Sequence, residues 1–246
     1  IYENITLDGE LQCLVEIDGK EISTTLNDIR IQHPEYFDLL VTPLDEEIAF
    51  VPKKIKIDII LCGVGGMGAL SSAAIISKAA LDMGWYMKQA ETHGMSQRGG
   101  DVQSHLRISD KPIASDLIPE GECDIILSVE PMEALRYLPF LSKDGWVITN
   151  ENPFINIPNY PEKEAIIAEI NKLPHSIVFD ADTIAKEVHN PKGTNMVVLG
   201  AASKYLGIDI EKLEDAVRSN FGRKGEAIVN ANIDALRAGR AVADKM

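Results

Sequence analysis

Apolar and polar positions divide this chain in two. From residue 55 onward, short apolar runs alternate with longer stretches of helical spacing. Ile55–Leu61 reads as a buried parallel strand. Ala69–Met83 repeats its apolar residues at helical spacing and stops at Gly84. Trp85–Ala90 is a second strand. Val102–Ile108 alternates, with Val102, Ser104, Leu106 and Ile108 expected on one face and Gln103, His105 and Arg107 on the other. Asp124–Val129, Trp146–Thr149 and Ser176–Phe179 read as further strands. Helices are predicted over Met132–Leu141 after Pro131, over Glu162–Lys172, and near Asn195–Leu206, Ile210–Phe221 and Glu226–Val242. This alternation predicts an α/β fold: an open, doubly wound, mostly parallel, Rossmann-like sheet with C-terminal helices.

Residues 1–54 follow another pattern. Leu11–Asp18 and Glu21–Leu26 flank Asp18-Gly19, a hairpin-turn dipeptide, and Asp8-Gly9 repeats the signal one strand earlier. A small β-rich N-terminal extension is expected there, with a packing rather than a catalytic role. It holds twelve acidic and four basic residues. Pro43 and Pro52-Lys53-Lys54 mark its boundary with a domain over residues 55–246.

The formal charge of the 246-residue chain is −14, and its basic residues are scattered, with pairs such as Arg223-Lys224, so nucleic acid is not an expected partner. No apolar run approaches the roughly twenty residues of a membrane span, and Ile1–Glu10 does not read as a signal peptide. Cys13, Cys62 and Cys123 form no close pair and no cluster or zinc motif, which points to a reducing, cytoplasmic setting.

Two motifs carry chemistry. Gly63-Val64-Gly65-Gly66-Met67-Gly68 has the G-x-G-x-x-G spacing between a strand and a helix, where bare N–H groups can approach an anion. Glu91 falls near the position of a ribose-binding acid, so a nicotinamide or flavin dinucleotide is one reading of the loop, and simple helix–strand packing is another. The second motif is Glu91-Thr92-His93-Gly94-Met95-Ser96-Gln97-Arg98-Gly99-Gly100. Arg98 can fork onto a carboxylate or phosphate. His93 is the proton-transfer candidate, although a hydrogen-bonded structural role is open to it. Gln97 can donate and accept at once.

Together with Val102–Ile108, these motifs resemble the gamma-type module of 2-oxoacid:ferredoxin oxidoreductases. The His-Gly-Met-Ser-Gln-Arg-Gly-Gly wording is similar to the beta subunit of indolepyruvate ferredoxin oxidoreductase. Asn195–Gly200, Phe221, Lys224 and Ala238-Gly239 fit the same family, and the resemblance runs from about Lys54 to Gly239. Met67 stands where the family usually has Gln, and Asp101 where it has a small hydroxyl residue. Residues 1–54 have no counterpart.

The resemblance implies oxidative decarboxylation of a 2-oxoacid, an aryl pyruvate by preference, to an acyl-coenzyme A with electrons passed to ferredoxin. It implies a hetero-oligomer. Thiamine diphosphate, Mg²⁺ and 4Fe-4S clusters are expected on a larger partner subunit and none on this chain, with coenzyme A as co-substrate. His93, Gln97 and Arg98 become the catalytic candidates. Gly63, Gly65, Gly66, Met67, Gly68, Gly99, Gly100 and Asn195 become the cofactor-binding candidates, and no metal ligand is expected. A stand-alone NAD(P) dehydrogenase and a non-catalytic scaffolding subunit are the competing readings.

Overall fold

The structure is a computed structural model that describes residues 3–5, 11–17, 20–25, 56–93 and 99–245. The chain divides into two compact units, Ile1–Pro52 and Lys53–Met246. In the first, β1 (Glu3–Ile5), β2 (Leu11–Ile17) and β3 (Lys20–Thr25) form an antiparallel meander. Its two strand pairs are those expected around Asp8-Gly9 and Asp18-Gly19, while the turns themselves lie outside the described residues.

The second unit is built on a six-stranded sheet. Its strands are β4 (Lys56–Val64), β5 (Tyr86–His93), β6 (Asp101–Ser109), β7 (Cys123–Ser128), β8 (Leu141–Asn150) and β9 (Ser176–Phe179). The order across the sheet is β5-β6-β4-β7-β8-β9. Pairing is parallel from β4 through β9, and β6 alone runs against the others. Around it lie α1 (Ala69–Asp82), α2 (Pro131–Arg136), α3 (Lys163–Ile170), α4 (Ala181–Glu187), α5 (Thr194–Ala202), α6 (Ile210–Phe221) and α7 (Glu226–Ala243).

Period-two alternation along β4 separates two cores. Ile57, Ile59 and Leu61 join the buried faces of α1, α5, α6 and α7. Ile60 and Cys62 join the α2–α3 side with Ile126, Val147, Ile166 and Ile170. Both sheet faces are therefore covered, as the near-continuous apolar run of β4 requires. α1 closes as its sequence predicts: Gly84 takes φ +77° and the Trp85 N–H returns to the Ala80 carbonyl at 3.0 Å. The α5–α7 crossing depends on two glycines, because a Cβ on Gly239 would lie 1.8 Å from the Val197 carbonyl oxygen and one on Gly200 would lie 2.0 Å from that of Leu236.

Several expectations need correction. The helix expected over Met132–Leu141 ends at Arg136, gives way to a 3-10 turn over Leu138–Phe140, and Leu141 already begins β8. Pro139 has no N–H to bond the Leu135 carbonyl, so the helix cannot continue. Similarly, α5 stops at Ala202 and a 3-10 turn over Ser203–Tyr205 follows. The sequence reading missed α4, whose Asp180 cap accepts the Thr183 N–H at 2.9 Å. The alternation expected along β6 is not itself corrected, and both faces of the strand are buried beyond Gln103. His105 and Arg107 are both buried, His105 accepting the Ile118 N–H and Arg107 donating to the Ser115 and Leu117 carbonyls.

Candidate active site

The glycine loop lies at the carboxyl end of β4, where open α/β sheets place ligands. Gly63 is still strand, and a Cβ on it would come within 2.3 Å of Val129 Cγ2, so its role is close packing. The chain then turns, with the Met67 N–H donating to the Val64 carbonyl at 3.1 Å. Gly66 takes φ +101° facing open space. Gly68, at φ +86°, caps α1 without a side-chain hydrogen bond, and no acid occupies the first helical turn. The positive end of a fourteen-residue helix is thus presented at this edge.

Two backbone hydrogen bonds lace the glycine loop to the end of the second motif. The Gly65 N–H donates to the Gly100 carbonyl at 2.8 Å, and the Gly99 N–H donates to the Gly65 carbonyl at 3.3 Å. Gly99 takes φ +80°, and its carbonyl accepts the Asn156 Nδ2 amide at 2.6 Å. Asn195, in the first turn of α5, donates Nδ2 to the Gly68 carbonyl at 3.0 Å, while its own carbonyl accepts the Ser72 hydroxyl at 3.4 Å. The eight glycine-loop, Gly99–Gly100 and Asn195 candidates therefore meet at one place. Asn195 ties the loop to α5 through an amide already engaged by backbone.

Of the other candidates, His93 ends β5, in register with Val102 and, one strand further, with Gly63. The side chain of His93 and all of Gln97 and Arg98 lie outside the described residues.

Beneath the loop is a cluster of acids that sequence reasoning did not assemble. Tyr137 donates its hydroxyl to Asp101 Oδ2 at 2.7 Å. Among the described residues, Asp101 Oδ1 is buried with no hydrogen-bond partner. Burial raises the Glu133 carboxyl above its ordinary range, against the pull of Arg136, and the neighbouring Asp101 carboxylate adds to the rise. Burial also raises the Tyr137 phenol, helped by Asp101. Glu130 is fully buried, caps α2 through the Glu133 N–H at 2.9 Å, and accepts the Phe154 N–H at 3.3 Å and the Tyr160 hydroxyl. The Glu130-Pro131 pair at a predicted helix start was the one available sequence signal for this role.

Strand order counts against the dinucleotide reading. The antiparallel β6 separates β4 from β5, so the Glu91 strand lies two strand spacings, about 10 Å, from the glycine strand. Glu91 also accepts the Gln89 amide at 2.6 Å. The Gly65 N–H, which a pyrophosphate would need, is bonded to Gly100. The described cysteines do not fit an iron–sulfur cluster, which needs accessible thiolates grouped together. Cys62 and Cys123 are buried at opposite ends of the sheet. Burial raises both thiols, that of Cys123 to about 12.

A match to the pyruvate ferredoxin/flavodoxin oxidoreductase family spans residues 58–242. The chain belongs to that family. It is 40% identical over 193 residues to the indolepyruvate oxidoreductase subunit IorB of Archaeoglobus fulgidus, covering 75% of this chain and 94% of the relative. It is 32% identical over 168 residues to the pyruvate/ketoisovalerate oxidoreductases common subunit gamma of Pyrococcus furiosus, covering 67% and 86%. Its fold is similar to that of the 2-oxoglutarate:ferredoxin oxidoreductase from Magnetococcus marinus solved with 2-oxoglutarate, coenzyme A and succinyl-CoA bound. The TM-score there is 0.63 at 21% identity over 78% of this chain, which spans about a third (32%) of that protein's length. Family membership makes this chain an IorB-like subunit of the 2-oxoacid:ferredoxin oxidoreductases. Among the described residues, no helix is long and apolar enough to cross a membrane.

Proposed function

We propose that this chain is the gamma-type subunit of a cytoplasmic, thiamine-diphosphate-dependent enzyme that oxidatively decarboxylates an aryl pyruvate such as indolepyruvate. The products are an acyl-coenzyme A, carbon dioxide, a proton and two electrons for ferredoxin. Residues 55–246 form its catalytic domain and residues 1–54 an extension to it. A larger subunit brings thiamine diphosphate, Mg²⁺ and 4Fe-4S clusters, and the chain works only with that partner. When bound there, thiamine supplies the carbanion sink and the clusters carry single electrons, chemistry that side chains cannot perform.

The chain's own contribution is binding and orientation. Arg98 and those N–H groups of the glycine edge other than Gly65 and Met67, which are bonded within the loops, hold the substrate carboxylate or a coenzyme A phosphate. His93 holds or moves a proton at its imidazole, and Gln97 donates to and accepts from the reacting substrate. The observation that carries this reading is the Gly65–Gly100 and Gly99–Gly65 lacing, which joins the end of the His93–Gly100 motif to the glycine loop. The name of the Pyrococcus relative, a subunit common to two oxidoreductases, supports selection of the 2-oxoacid by the partner's pocket.

The test is Arg98→Ala in the assembled enzyme, followed by steady-state kinetics with a viologen dye. The KM for the 2-oxoacid or for coenzyme A is expected to rise roughly tenfold or more, the loss of a charge-assisted contact. Unchanged KM for both substrates with unchanged turnover would leave the loop a scaffold and overturn the assignment. In a panel of 2-oxoacids, aryl pyruvates should give the highest kcat/KM. A preference for pyruvate or 2-oxoglutarate would overturn that part alone.

A further inference from the structure

One surface beside the candidate site takes no part in binding or orienting substrate. Between β8 and α3 the chain runs from Asn152 to Pro161 without a single charge, in a protein where 25% of residues are charged. Phe154, Ile155 and Ile157 are 44%, 72% and 38% exposed, three of the seven large exposed apolar side chains among the described residues, within four positions. Scattered exposed apolar residues are ordinary, but a contiguous group marks an interaction surface.

The segment is also held in place. At its start, the Asn152 amide donates to Asp180 Oδ1 at 2.7 Å and to Asp182 Oδ2 at 3.2 Å, and Lys163 donates to Asn152 Oδ1 at 3.1 Å. At its middle and end, the Phe154 N–H and the Tyr160 hydroxyl both reach the buried Glu130. Between these pins, Asn156 bonds the Gly99 carbonyl. A strap fixed this way loses little conformational entropy when something packs on it, which favours docking.

We infer that the Asn152–Pro161 strap is the surface on which the larger subunit seats. This rests on the proposed function. Three features select that occupant. The strap touches Gly99, so whatever covers it closes the glycine edge at the same time. It is uncharged, which suits a permanent apolar interface. A transient redox partner such as ferredoxin would instead be steered by charge. Lastly, a similar fold occupies about a third of the longer Magnetococcus chain, which leaves the rest of that polypeptide available to cover it.

The experiment co-expresses the full chain with the larger subunit and measures their association, using wild type, Ile155→Glu, Ile155→Glu/Ile157→Glu, and Leu81→Glu as a control. Leu81 is 53% exposed at the far end of α1. The strap variants are expected to fold with an unchanged melting temperature and to weaken association at least about 30-fold, while Leu81→Glu associates like wild type. Strap variants that associate like wild type would overturn the inference and leave the functional reading standing. A wild-type chain that binds no larger subunit would instead overturn the functional reading. Light scattering that shows the wild type self-associating through the strap would make the occupant a second copy and also overturn the inference.

Discussion

The two ends of the sheet put their buried polar groups to different use. At the amino end a charge cluster dominates, and its Arg107 also bonds the Ser115 and Leu117 carbonyls. Arg107 forks onto Asp58 at 2.8 and 3.0 Å, both residues are buried, and Lys56 adds a third charge 3.1 Å from Asp58. The Asp58 N–H donates to Asp124 at 2.9 Å. A cleft of about 950 Å³ opens at this end, lined in part by Ile57, Leu141, Trp146 and Tyr205. Trp146 stacks on His175 there, with ring centroids 4.9 Å apart. At the carboxyl end, the buried carboxylate of Glu130 and the Asn195 amide bond the backbone of loops. The helix positive end at Gly68 and the strap's apolar side chains point outward. A matched polar pair holds a fold together, whereas a polar group bonded to loop backbone shapes a surface. The difference teaches where the two glycine-bearing motifs meet: the glycine loop and the Gly99–Gly100 turn converge at the carboxyl end, away from this cleft.

Mutations can break this contrast. The largest effect is expected at the amino end, where Arg107→Ala leaves the buried Asp58 carboxylate with only the half-exposed Lys56 as a charged partner and takes the Arg107 donor from the Ser115 and Leu117 carbonyls; it should cost about 3 kcal/mol, read by thermal or denaturant unfolding. The kcat/KM of the fraction that folds and assembles should stay at the wild-type value. A large kinetic change there would erase the distinction between the two ends. A smaller loss, about 1–3 kcal/mol, is expected for Glu130→Gln, because one amide cannot accept everything the carboxylate accepts. Its signature is local: hydrogen exchange at the Phe154 amide should accelerate far more than at Ile125. Equal protection at both amides would mean that Glu130 does not hold the strap.

The smallest effect is a pH dependence. Burial sets the Glu133 carboxyl in the folded chain above its ordinary 4.5. A carboxyl raised by folding adds stability that is complete below the unfolded value and is lost as pH rises through the folded one. Glu133→Gln should therefore gain on wild type as pH increases from 4.5 toward neutrality, read as the difference in melting temperature across that range. A difference that stays constant, or shrinks as pH rises, would show that Arg136 outweighs burial.

Much of the architecture was legible locally. The β4 run, the Gly84 stop and the C-terminal helices followed from periods of two and 3.6 and from the conformational freedom of glycine, all properties of neighbouring residues. The errors had identifiable causes. Pro139 cut short a helix whose apolar spacing continued, and the 110–118 segment buried His105 and Arg107, which alternation alone does not foresee. At the candidate site, the two motifs could be read as strings, and the longer one pointed to the family to which the chain belongs.

By itself, then, the sequence determined most of the strands and helices, and that two glycine-bearing motifs lie at strand ends. Only the tertiary structure decided that β6 inserts between β4 and β5 and so moves Glu91 away from the glycine loop. It alone joined Gly65 to Gly99 and Gly100, Asn195 to Gly68 across 127 residues, and Glu130 to Tyr160. The physical reason is one of range. Periodicity and turn chemistry act over a few residues and leave their mark in local order. Strand order and long-range hydrogen bonds are instead selected by whole-chain packing that satisfies every buried polar group at once.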